Sequence, residues 1–238
     1  MWVYLRVDEP IQHLCFTANT ANSTVELNKT WSPTAVTLQV STDWNNWSNY
    51  IPWSWTAIQL QNIWDKVYFR NTSETTTWFS IAGNHYYQFS MTWSVAASWD
   101  ITSLINKNLT SDELSDYCFA WLFESATSLT TSPKLPSTSL WNSSYINMFR
   151  LCSWLTTLPE LPATTLKTQC YANMFYWCTS IMLSTTQTWN YQTPYRIPSE
   201  WTWTAWNNSL TNMFTSTWWT FTWTPTINTT YYTSNTVV

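Results

Sequence analysis

Three segments of this chain determine its fold: CFAWLFESA at residues 118–126, SYINMFRLC at 144–152 and CYANMFYWC at 170–178. Each begins 26 residues after the one before it. The same spacing continues downstream, in the pairs Pro133 and Pro159, Leu135 and Leu161, Pro136 and Pro162, and Leu140 and Leu166. Agreement at many positions with a single period is the signature of a repeat protein.

Each unit has two parts with different patterns. The first spaces its large apolar residues three and four apart, which predicts a short helical turn. The second, such as residues 155–166, is rich in Leu, Thr and Pro, and its prolines exclude a helix. A single unit cannot bury its own apolar side, so the units are expected to stack into a short solenoid. We place units near 118–143, 144–169 and 170–183, and a degenerate unit at 208–238 that follows an interruption.

The first hundred residues have a different pattern of short alternating apolar runs. The predicted strands are His13–Ala18, Ser23–Leu27, Ala35–Val40, Ala57–Leu60, Lys66–Arg70, Tyr86–Met91 and Ser94–Ala97. Seven short strands with turn residues between them favour an antiparallel β-sandwich-like domain over residues 1–100. A helix from Asp112 to Phe123, with Ser111 as its N-cap, is predicted to lead into the repeats of residues 101–238.

The repeats resemble a known family. Residues 118–183 are similar to BspA-like leucine-rich-repeat surface proteins, whose units read C-Y-x-x-M-F-x-G-C-T-S-L-T-x-x-P-x-L-P-A-T-T-L. Cys170 to Ser180 follows this pattern, with Trp177 at the position of the family's glycine. The tail from Asn208 to Val238 resembles the closing segment of such proteins. The resemblance implies a leucine-rich-repeat solenoid, an α+β and mostly β fold, and display on a cell surface or a virion.

Tryptophan and glycine occur in unusual numbers. The chain has 21 Trp and 1 Gly, where average usage predicts roughly 17 glycines. Many tryptophans adjoin turn-forming residues, as in Asp43-Trp44, Trp64-Asp65 and Trp99-Asp100. Glycine is the residue expected in such turns. We therefore hypothesise that most of these positions are glycine, encoded by UGA and read under the wrong genetic code. Trp47 is the position best kept as a real aromatic residue, and the alternative is a protein whose aromatic surface binds sugars.

Composition excludes several functions. Nine Lys and Arg against thirteen Asp and Glu leave no basic surface for nucleic acid. No apolar run is long enough to span a membrane, and the first residues show no signal-peptide pattern. The low charge and high Thr, Ser and Asn content is typical of extracellular or virion β-proteins.

The chain offers few groups for catalysis. His13 and His85 are its only histidines, the first in a predicted strand and the second immediately before one, where a structural role is more common than a catalytic one. The carboxylates of Asp112, Glu113, Asp116 and Glu124 suit the start of the predicted helix better than a glycosidase pair. The cysteines of the repeats are expected to form a buried interior row. A disulfide between Cys152 and Cys178 is the less favoured alternative, and a zinc site is less favoured still.

These features predict a non-enzymatic protein of adhesion or interaction, without cofactor or metal. Its binding residues are expected on the strand part of the repeats, at Thr131, Lys134, Thr157 and Glu160, facing a host protein, cell surface or glycan. A phage virion or fibre protein with the same repeats is the first alternative. A carbohydrate-binding module with exposed tryptophan platforms is the second.

Overall fold

The computed structural model describes residues 12–30, 36–52, 57–74, 76–81, 85–109, 113–164, 166–198, 208–217 and 224–238, and within them the fold is mostly β. The described strands are β1 Leu14–Ala18, β2 Ser23–Lys29, β3 Leu38–Ser41, β4 Ser48–Tyr50, β5 Ile58–Leu60, β6 Lys66–Asn71, β7 Tyr87–Thr92, β8 Val95–Ser98, β9 Leu129–Thr131, β10 Thr157–Leu158, β11 Leu183–Ser184, β12 Thr193–Arg196, β13 Thr230–Thr233 and β14 Thr236–Val237. One 3-10 turn, Ile101–Leu104, is the only helical element in these ranges.

Strands β1 to β8 form two facing sheets, and β9 of the first repeat joins one of them. One has the strand order β4-β3-β6-β1-β8-β9, and the other has the order β5-β2-β7. Alternating side chains of β2, including Val25 and Leu27, are buried, as expected for a strand with one side on the core. Phe16 of β1 and Phe89 of β7 meet between the sheets, with ring centroids 4.7 Å apart. Each of the seven predicted segments overlaps a strand, and β4 is the strand that the pattern did not predict.

The repeated segments stack through a hydrogen-bonded arrangement that we call the turn ladder, made of residues 115–125, 141–151, 167–177 and 208–217. Backbone amides alternate between two kinds of partner. Ala120 N donates to Tyr117 O at 3.0 Å and closes a tight turn, whereas Phe119 N donates to Ser144 O in the next segment at 2.8 Å. The same alternation recurs in the next two segments.

The turn ladder corrects the prediction of helices. Within the described residues no α-helix covers 113–123 or the equivalent part of any repeat. Positive φ angles recur every fourth residue, at 117, 121 and 125 in the first segment, and each interrupts the α-helical run. The three-and-four spacing of apolar residues is therefore produced by successive turns. Ser111 and Asp112 lie outside the described residues.

Aromatic rings stack along the interior of the turn ladder. Phe123, Phe149, Phe175 and Phe214 form one row with centroid separations of 5.4, 5.6 and 5.3 Å and nearly parallel planes. Phe89 of the N-terminal sheet extends this row, at 5.5 Å from Phe123. The buried apolar residues of both halves belong to one continuous core.

The N-terminal sheets cover the first segment of the ladder. Phe89 N donates to Leu122 O, and Ser80 N donates to Cys118 O, both at 2.8 Å. Strand β9 of the first repeat pairs in parallel with β8. The chain then returns from its C-terminal part, where β14 pairs in parallel with β10 and β13 lies between β11 and β12. No helix among the described residues is long and apolar enough to cross a membrane.

Candidate functional site

Two of the four predicted binding residues have structural roles. Thr131 donates its hydroxyl to Ala97 O at 2.6 Å and so fixes β9 to β8. Thr157 is buried, and its hydroxyl accepts from Ser132 N at 2.7 Å. Both hydroxyls hold neighbouring chain segments together, because a buried polar group needs a hydrogen-bond partner. Ligand contact by these two residues stays a prediction: Thr157 is buried in the structure, and the hydroxyl of Thr131 donates to Ala97 O.

The other two predicted residues line one concave surface. The exposed residues Lys134 and Glu160 border a cavity of about 430 Å³ whose wall also contains Pro136 and Pro162. A neighbouring cavity of about 270 Å³ shares Glu160 and Pro162 with it and adds Arg196. We call the two together the proline cleft; its remaining lining residues are Leu135, Leu161, Pro194, Tyr195, Val237 and Val238.

Backbone hydrogen bonds fix the walls of the proline cleft. Lys134 N donates to Trp99 O at 2.8 Å. Glu160 N donates to Val238 O at 2.7 Å, which attaches the second repeat to the segment after β14. The buried Tyr195 donates its hydroxyl to Pro159 O at 3.1 Å, and burial raises the pKa of that hydroxyl well above its usual value. The cleft therefore carries exposed charged side chains on a wall that backbone hydrogen bonds hold in place.

Sequence reasoning missed the contribution of β12 to this cleft. Arg196 lies in the segment that interrupts the repeats, 36 residues after Glu160 in the chain. No local pattern marks it as a binding residue, because the strand pairing of β12 with β13 brings it there. The proline cleft thus carries two cationic side chains and one anionic side chain.

A second concave surface lies beside the first segment of the turn ladder. Its cavity of about 500 Å³ is lined by Trp78, Trp141, Glu113 and Asp116, together with Thr77, Ile81, Leu114 and Ser115. Asp116 accepts a hydrogen bond from Asn142 N at 2.9 Å. Of the other carboxylates in this sequence cluster, Glu124 forms an ion pair with Arg150, and Asp112 lies outside the described residues.

His13 is poorly placed for acid–base chemistry. His13 is buried against the rings of Trp44 and Trp47, at centroid distances of 5.0 and 5.2 Å. Burial, and to a lesser extent the positive charge of Arg70, lower the pKa of His13 to about 4. The Nδ1 atoms of His13 and His85 have no hydrogen-bond partner within the described part of the chain. A catalytic histidine would need access to a substrate proton, which His13 lacks.

The cysteines form the predicted interior row. All five are buried and free, so Cys152 and Cys178 are not joined by a disulfide. Cys152 Sγ donates to Phe123 O and Cys178 Sγ to Phe149 O, each at 2.9 Å. Burial raises the pKa of the Cys118 thiol to about 12 and that of Cys152 well above its usual value. Thiols of this kind are poor nucleophiles and poor metal ligands.

No group of three or more His, Cys, Asp or Glu side chains suited to hold a metal ion occurs among the described residues. Comparison with known proteins gives no family model, no curated protein and no solved structure that matches this chain.

Proposed function

We propose that this chain is a non-enzymatic, surface-exposed interaction protein related to the BspA-like leucine-rich-repeat proteins. Its repeats would form a short leucine-rich-repeat solenoid behind an N-terminal β-sandwich-like domain. The 26-residue period, the row of stacked phenylalanines and the hydrogen bonds between successive segments support this architecture.

The observation that carries the functional proposal is the position of Lys134 and Glu160. They occupy equivalent positions in successive repeats, 26 residues apart, and both line the proline cleft. In a stacked repeat protein, positions outside the core vary without disturbing the fold, and such positions form the binding surface. Arg196 extends the charged rim of this surface. We propose that the rim contacts a host protein or a glycan, while the apolar wall excludes water from those contacts.

Binding to immobilised extracellular-matrix proteins and to a glycan array tests this proposal. The full chain is compared with the double variant Lys134→Ala and Glu160→Ala, and with Lys167→Ala as the control. Lys167 is an exposed lysine of the same repeat array that does not line the cleft. We expect the double variant to lose about tenfold or more in affinity for the bound probe, and the control to bind normally.

Two results contradict the proposal. One is equal binding by the double variant and the unmodified chain. The other is no binding above an albumin blank by any probe on the two panels. Immunogold labelling then distinguishes display on a bacterial surface from incorporation into a phage virion.

Carbohydrate binding is the second candidate, supported by the cavity of Trp78 and Trp141. Two tryptophans and two acidic residues, Glu113 and Asp116, line the same cavity. Indoles stack on the apolar faces of sugars, and carboxylates accept hydrogen bonds from their hydroxyl groups. The same glycan array tests it with Trp78→Ala and Trp141→Ala, which should abolish binding if this cavity is the site. Unchanged glycan binding by both variants excludes it.

A further inference from the structure

The strained tryptophans are the feature of this molecule that its proposed function does not explain. Eleven tryptophans lie in the described part of the chain, and six of them have positive φ angles. Only a few per cent of non-glycine residues have such angles, since the Cβ atom then approaches the neighbouring carbonyl oxygen. The six are Trp44 at 69°, Trp64 at 75°, Trp93 at 57°, Trp99 at 65°, Trp121 at 60° and Trp177 at 61°.

The enrichment is clearest outside the turn ladder, whose own geometry requires positive φ. There, seven described residues have positive φ: four tryptophans, Asn22, Asn228 and Leu109. Asparagine is tolerated in this region because its short side chain hydrogen-bonds locally. Tryptophan has no such property, so chance placement does not account for four of the seven.

Two of these positions use only the backbone of the residue. Trp64 N donates to Ala18 O at 2.8 Å, while the residue as a whole is 73% exposed. Trp93 is the first of two residues that connect β7 to β8, and it is 64% exposed. Tight connections with positive φ at the first position are normally made by glycine. The fold therefore needs the φ angle at each site and gains little from the side chain.

Trp177 provides an independent line of support within the repeats. Ser125 and Leu151, its equivalents in the two preceding units, also have positive φ, at 61° and 65°. The left-handed conformation thus belongs to this repeat position, whichever residue occupies it. Trp177 is also 50% exposed.

We infer that positions 44, 64, 93, 99, 121 and 177 are glycine in the protein made by its own cells, where UGA codons are read as glycine. Trp47 is outside this inference. Its φ is not positive, and the Arg70 guanidinium lies 3.8 Å from its ring centroid, a cation–π contact that a real indole supplies.

Glycine at these positions changes the surface that is available for recognition. Glycine at 64, 93 and 177 removes three exposed indoles and leaves a surface dominated by Thr, Ser and Asn. Glycine at 44 and 99 removes two rings that lie 5.0 and 5.6 Å from Tyr68 and uncovers His13. It therefore removes part of the aromatic surface that a sugar-binding function would use. The proposed role of the proline cleft does not depend on it.

Mass spectrometry of the protein isolated from the cells or particles whose gene encodes it tests the inference directly. Peptides that span positions 64, 93 and 177 should carry glycine, and the corresponding codons should be UGA. Tryptophan in these peptides, or UGG codons at these positions, overturns the inference.

A stability comparison of the full chain gives a second test. At each of the six positions, Trp→Gly is compared with Trp→Ala. We expect the glycine variant to have a folding equilibrium constant about two- to fivefold larger, since alanine keeps a Cβ. Trp154 and Trp189, whose φ angles are not positive, are the matched controls. There the alanine variant should be more stable than the glycine variant. Each variant carries a single substitution, so that the fold as a whole is kept. The inference is contradicted if the glycine variants are no more stable than the alanine variants at the six positions.

Discussion

His13 is a residue whose surroundings change its charge state between about pH 4 and pH 6.5. Its ring is enclosed by Trp44 and Trp47, and the positive charge of Arg70 disfavours a second cation beside it. The pKa of His13 is lowered to about 4 from an ordinary value of 6.5. The folded protein therefore holds a neutral imidazole at a pH where the unfolded chain has already bound a proton.

This difference predicts a pH-dependent stability. Above pH 6.5 His13 is neutral in both states and adds no dependence. As the pH falls from 6.5 towards 4, the unfolded state gains a proton first, so the free energy of unfolding decreases. Between pH 7 and pH 5 the expected loss is about 1–2 kcal/mol, measured by urea unfolding at each pH.

The variant His13→Gln serves as the control for this effect. It cannot titrate, so its stability should change less across the same interval. An equal loss in the variant and the unmodified chain would assign the dependence to other groups.

Individual residues of the candidate site were predictable from the sequence to different degrees. The position of Lys134 and Glu160 on one surface was predictable, because the repeat period places them at equivalent positions of successive units. Thr131 and Thr157 shared that register, yet their hydroxyls serve neighbouring strands, a choice that depends on contacts absent from the sequence pattern. Arg196 was not predictable, because strand pairing across the interrupting segment determines its place.

Among the elements, the stacked segments of the turn ladder dominate the packing of the second half. Phe149 is fully buried between Phe123 and Phe175, with both neighbouring rings nearly parallel to its own. Glu124 and Arg150 join the same two segments by a partly buried ion pair, in which the Arg150 side chain is 39% and the Glu124 side chain 13% exposed. Burial of apolar area in the ring stack is expected to outweigh a single ion pair that keeps contact with water.

Substitutions in the ring stack and in the ion pair should lower the free energy of unfolding by different amounts. Phe149→Ala should lower the free energy of unfolding by about 3–5 kcal/mol, because it leaves a cavity in a row that cannot collapse. Glu124→Gln should lower it by less than about 1 kcal/mol. Chemical denaturation of the two variants measures both values. A similar cost for both would mean that the ring stack contributes little.

The elements were predictable to different degrees. Alternation identified β1, β2 and β6 because one or both faces of each strand are buried. It missed β4, whose first two residues are exposed and polar. The helix was wrongly predicted because a series of tight turns spaces its buried residues as a helix does. An α-helix and a series of tight turns differ in their φ angles, and the spacing of apolar residues does not reveal those angles.

At the scale of the whole molecule, the N-terminal and C-terminal halves are built around one hydrophobic core. The N-terminal sheets and the repeats share one cluster of buried apolar residues. Pairing of β8 with β9 and the contact of Phe89 with Phe123 join the two halves. Units that share a core and hydrogen bonds unfold together.

We therefore expect one unfolding transition. Hydrogen exchange followed by mass spectrometry should show β1 and the segment 143–151 losing amide protection at the same urea concentration. The exposed loop at 185–190 makes few backbone hydrogen bonds, so it should exchange well before either segment and serves as the reference. Two separated transitions would show that the N-terminal sheets fold independently of the repeats.

The turn ladder also determines how such a gene can change its length. About half of the ladder amides in each of the first three segments bond to the following segment, so a segment cannot gain or lose a few residues without breaking the match with its neighbour. The third and fourth segments show the permitted exception: Tyr171 N bonds to Ser209 O at 2.9 Å although a longer stretch of chain separates these two segments. Recombination between repeats would therefore be tolerated when it duplicates or deletes whole units. Related genes should differ by multiples of one unit, or by insertions confined to the loops between segments.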